Sequence, residues 1–74
     1  MSQIIIRKKG ITNGEYAEKI FDAAEGLGIS CSGQRRFLDK GGEDSISDVI
    51  DEVIGLLIEN GHAVHETINT LFIN

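Results

Sequence analysis

Seventy-four residues carry twelve Asp and Glu against seven Lys and Arg, a net charge of −5, with 41% hydrophobic and 26% charged residues. That apolar share excludes a disordered chain, and the length sets a single domain, 1–74, whose small core leaves a thin margin of stability. A lone Cys31 excludes an intramolecular disulfide framework, and Ile4-Ile5-Ile6 ahead of Arg7-Lys8-Lys9 is too short for a signal-peptide core or a membrane span, so a cytoplasmic protein is expected.

Residues 3–9 alternate as a strand, with Ile4 and Ile6 on one side and Ile5, Arg7 and Lys9 on the other. Gly10 ends the run. Thr12-Asn13-Gly14-Glu15 has the spacing of a capping box and opens a helix. Its apolar stripe is Tyr16, Ile20, Ala23, Ala24 and Leu27, with Glu18, Asp22 and Glu25 opposite. Gly26 and Gly28 are stop signals.

Ile29 and Cys31 read as one short strand and Arg35 to Leu38 as another, joined at Ser32-Gly33-Gln34, with a single irregular strand as the competing reading and Asp39-Lys40-Gly41-Gly42 as a loop. A second helix starts at Asp44 or Ser45. Ile46, Val49, Ile50, Val53, Ile54 and Leu57 form a wide apolar face, and Asn60-Gly61 closes it. From His62 to Asn74, Val64, Ile68, Leu71 and Phe72 suit helical spacing, but the Val, Thr, Ile and Phe content favours one final strand over that helix. The expected architecture is therefore α+β, a two-layer sandwich ordered β-α-β-β-α-β as in ferredoxin-like folds, with a three-stranded β-α-β-α-β arrangement as the alternative.

Catalytic apparatus is sparse. Ser32-Gly33-Gln34 shares part of an ABC-ATPase signature, but the second glycine and any G-x-x-x-x-G-K-[ST] loop are missing. His62, His65, Glu66 and Cys31 hold metal-ligand chemistry without metal-ligand spacing, and Cys31 with a histidine lacks a third orienting group. Carboxylates one turn apart, Asp48 with Glu52 or Glu18 with Asp22, lie on faces expected to be solvated, where nothing separates their acidities. No enzyme activity, cofactor or metal is expected.

Charge layout is more informative. All seven cations fall in the first forty residues with five acids, while seven acids and no Lys or Arg follow Gly41. On the second helix Asp44, Asp48, Asp51, Glu52 and Glu59 gather opposite the apolar face, repelling one another with no lysine interleaved. Gly55 on that ridge costs the helix about 1 kcal/mol relative to Ala. The expected function is non-enzymatic protein binding through this acidic face, as a stoichiometric inhibitor or adaptor. A phage or mobile-element protein acting on a basic nucleic-acid-handling protein is one concrete form. The alternative is a nucleic-acid-binding domain using Arg7, Lys9, Arg35, Arg36 and Lys40 as a basic patch on the open sheet face. A homodimer seamed at Ile5 is a further expectation; no membrane partner is.

Overall fold

The computed structural model describes residues 3–41 and 45–74. Its elements in chain order are β1 (Ile4–Arg7), α1 (Asn13–Gly26), α2 (Ser32–Gly41), α3 (Ile46–Glu59), β2 (Val64–Glu66) and β3 (Thr70–Ile73). The strands form one antiparallel sheet in the order β1-β3-β2. The class is α+β, as its patterning indicates, but the order is β-α-α-α-β-β. Neither β-α-β-β-α-β nor β-α-β-α-β describes it.

Local chemistry explains the elements that the sequence marks clearly. Thr12 stands in extended conformation, and its Oγ1 accepts the Glu15 N–H at 3.1 Å, relieving one orphan donor at the start of α1. α1 and α3 end alike. Past Leu27, Gly28 takes φ +89°, letting its N–H reach the Glu25 carbonyl while the Ile29 N–H reaches Ala24. Past Asn60, Gly61 takes the same φ, with its N–H on Ile58 and the His62 N–H on Leu57. This paired closure satisfies carbonyls the helix leaves open, and it requires a left-handed residue that glycine supplies without strain.

Three expectations are corrected. The segment read as two strands is the helix α2. Gln, Arg, Leu and Lys are good helix formers, and Arg35 N–H bonds the Cys31 carbonyl at 2.9 Å as the first turn closes. Ile29 and Cys31 are buried in the link before it rather than in a strand. The segment read as one final strand is a hairpin: Thr67 Oγ1 donates to the Thr70 carbonyl and accepts the Thr70 N–H, both at 3.0 Å. Ile68 stands at the hairpin tip, 89% exposed. Of the expected loop Asp39 to Gly42, residues 39–41 belong to α2 and Gly42 lies outside the described residues.

The core lies between one sheet face and the helices. Ile6, Leu71 and Ile73 pack beneath Ile20 and Phe21 of α1 and Val53 and Leu57 of α3, all at most 5% exposed. α1 packs on α3 and on β1, α3 also meets β2, and α2 packs along α3. No helix among the described residues is long and apolar enough to cross a membrane.

Candidate functional site

The fold sorts the charged residues into three groups. The first gathers on α1. Glu18, Asp22 and Glu25 lie on its outer side, and α2 delivers Arg35 into their midst. The guanidinium bonds Glu18 Oε2 at 2.6 Å, Asp22 Oδ1 at 3.0 Å and both oxygens of Glu25 at 2.8 and 3.3 Å. Its Cζ also stands 4.9 Å from the centre of the Phe21 ring. The Arg35 hydrogen bond and charge hold the Glu25 carboxyl below its ordinary range, and the acids in turn raise the guanidinium. These three carboxylates therefore act structurally, fastening α2 to α1.

A smaller polar knot closes the other end. The Tyr16 hydroxyl donates to Glu66 Oε2 at 3.0 Å, and Lys8 Nζ reaches the same oxygen at 3.2 Å while lying 5.2 Å from the Tyr16 ring centre. Burial first, and then the Glu66 carboxylate, push the Tyr16 phenol well above its ordinary value. Glu66 is thus a structural acceptor in the hairpin.

The acids of α3 form the second group. Asp48, Asp51, Glu52 and Glu59 are all exposed, and none makes a salt bridge among the described residues. Glu52 accepts a neutral bond from Gln34 Nε2 at 2.9 Å. At 3.6 residues per turn, these four side chains and Ile58 fall within about a third of the helix circumference, with Gly55 at the centre of the arc. Space above Gly55 is open: a methyl group there would meet nothing within 4 Å. Beside the ridge a shallow groove of about 250 Å³ is lined by Gly33, Gln34, Phe37, Val49 and Glu52. Phe37 is 54% exposed and Ile58 55%. Asp44 lies outside the described residues.

The basic residues make the third group, and the fold divides it. Arg7 and Lys9 belong to β1 and the turn after it. Arg36 and Lys40 are exposed on α2, in the helical layer, and Arg35 is engaged with three acids. No known protein family, curated protein or solved structure matches the chain. Its function has to be argued from these surfaces.

Among the described residues, no group of three or more His, Cys, Asp or Glu side chains is placed to hold a metal ion. His65 and Glu66 occupy adjacent strand positions and face opposite sides of the sheet. Cys31 is buried beneath α2 with its Sγ 3.9 Å from the Ile29 carbonyl, and burial pushes its thiol up. Sequence reasoning missed two features: the Arg35 hub, and the exposed Phe37 beside α3. No local signal marks the first, since Arg35 lies ten to seventeen residues from the acids it meets.

Proposed function

We propose that this chain is a non-enzymatic binding protein that docks a positively charged protein partner on the outer face of α3, working as a stoichiometric inhibitor or adaptor. The observation that carries this reading is an asymmetry between two acidic helices. Glu18, Asp22 and Glu25 on α1 are matched by Arg35, whereas the carboxylates on α3 make no salt bridge among the described residues. Like charges one turn apart destabilise a helix by a few tenths of a kcal/mol per pair. A basic partner would remove that repulsion and gain steering at long range.

Gly55 and Phe37 supply the contact chemistry. A glycine at the middle of the ridge lets a partner's backbone or side chain approach the helix closely, flanked by Asp51 and Glu59 one turn away on either side. Phe37, half out of its groove, offers an aromatic anchor next to Glu52, and buried aromatics inside a polar rim are the usual source of interface energy.

The test is charge reversal of Asp48, Asp51 and Glu52 together to lysine. Helical circular dichroism should persist, because none of the three is buried or ion-paired. Proteins captured by the unaltered chain from its native host should be lost from the variant, and the association rate of the unaltered pair should fall as salt rises. Capture that survives the triple reversal would overturn the α3 assignment.

A further inference from the structure

Opposite the helices, the sheet has a second face that no element covers among the described residues. Ile5, Phe72 and His65 run across its middle in register, and Arg7 sits beside Thr70 in the next row. Ile5 is 52% exposed. The His65 and Phe72 rings lie 6.1 Å apart, tilted by 37°. None of these side chains is acidic, since Glu66 turns to the other face and is held by Tyr16 and Lys8. Along the free edge of β1, a groove of about 380 Å³ is lined by Ile5, Arg7, Lys9 and Lys19, among others. None of the three cations makes a salt bridge among the described residues. The Lys8 N–H bonds the Asn69 carbonyl at 2.8 Å. By the antiparallel alternation, the Ile5 and Arg7 amides therefore point away from β3, toward this edge.

We propose that this face binds single-stranded nucleic acid, with two bases lying on Phe72 and His65 and the phosphates following the β1 edge past Arg7, Lys9 and Lys19. Each part of the surface fits one part of that ligand. Bases freed from a duplex stack on aromatic and imidazole rings whatever their sequence. Cations and outward backbone N–H groups take the phosphates. Three strands at about 4.8 Å spacing leave room for roughly two bases, so the site is short and its affinity rests strongly on salt. An acidic peptide would satisfy the cations and leave the rings unused. This surface is separate from the α3 ridge and stands or falls independently of it.

The test is fluorescence anisotropy of the whole protein with short labelled oligo(dT) and oligo(rU), over a series of salt concentrations. Binding should strengthen as salt falls, with a log–log slope of about −1.4 if two phosphates are neutralised, and Arg7→Gln should flatten that slope by about 0.7. Phe72→Leu keeps an apolar side chain in place and should weaken binding about tenfold through lost stacking. His65→Ala, at an exposed position, should weaken it several-fold and provides the stacking test should Phe72→Leu unfold the protein. A duplex of the same length should compete poorly. Absence of binding at low salt, indifference to both the ring and the Arg7 substitutions, or equal competition by polyglutamate would each overturn the proposal, the last in favour of an acidic protein segment.

Discussion

Arg35 shows how one side chain can carry a tertiary contact that hydrophobicity alone does not reveal. Its guanidinium satisfies three carboxylates and stacks near Phe21, and each bond is charge-assisted. Exposed ion pairs taken singly contribute little, but a network sharing one ordered guanidinium over an aromatic ring contributes more. Arg35→Gln should therefore lower unfolding stability by about 1 kcal/mol, read as a shifted urea midpoint. Hydrogen exchange should rise first in α2, which this residue ties to α1. Arg35→Lys should recover only part, because an ammonium cannot span the forked geometry. A wild-type midpoint in Arg35→Gln would show the network to be energetically idle. The sequence displays Arg35 as one of a basic set and hides its neighbours. Helical spacing alone puts Glu18, Asp22 and Glu25 on the outer side of α1, yet nothing in that spacing announces that a cation from ten to seventeen residues away will meet them.

At the scale of elements, legibility follows the strength of local rules. α1 and α3 are readable because their faces repeat at helical spacing and their ends carry Thr12, Gly28 and Gly61 in the roles those residues serve best. α2 is not, because the half-buried residues along its inner side are Gln34, Arg35 and Leu38. Two of those three are polar, so a count of apolar residues does not pick out the helix. The terminal hairpin escapes for a different reason. Its turn over Ile68 and Asn69 has none of the glycine pairs that mark tight hairpins, and relies on the Thr67 hydroxyl instead. α3 carries the clearest prediction at this scale. Gly55 is half-buried, and a methyl group at that position would touch nothing. Gly55→Ala should stabilise the protein by about 1 kcal/mol, measurable as a raised melting temperature. In the proposed docking mode this position is the notch at the centre of the acidic ridge. Gly55→Leu should fold as well as the alanine variant and lose the partner that the lysine triple variant loses. Full partner binding by Gly55→Leu would remove the notch from the docking surface while leaving the carboxylates in question.

Across the whole molecule, ion-paired knots join the elements at two places, Arg35 between α1 and α2 and Lys8–Glu66 beside Tyr16, and stability should respond to pH from both ends. Glu25 has a folded pKa below its ordinary 4.5, because Arg35 bonds its charged form. Its contribution is present above that value and drains away as pH falls through the lower folded one. Tyr16 runs the opposite way. Burial and the Glu66 bond raise its phenol above the ordinary 10.0, so its contribution is complete below pH 10 and is lost as pH climbs past it. Between these limits the net charge of −5 shrinks as carboxylates protonate, which relieves self-repulsion and favours the folded chain on mild acidification. Urea titrations across pH should thus trace a dome, its acid limb set by the Arg35 cluster and its alkaline limb by the Tyr16–Glu66 pair. The two limbs are separable by substitution. Arg35→Gln should flatten the acid limb and leave the alkaline one, and Tyr16→Phe should do the reverse while keeping the ring beneath Lys8. If both variants kept the wild-type profile, the pH response would belong to the diffuse charge of α3 rather than to the two knots that hold the helices and the hairpin in place.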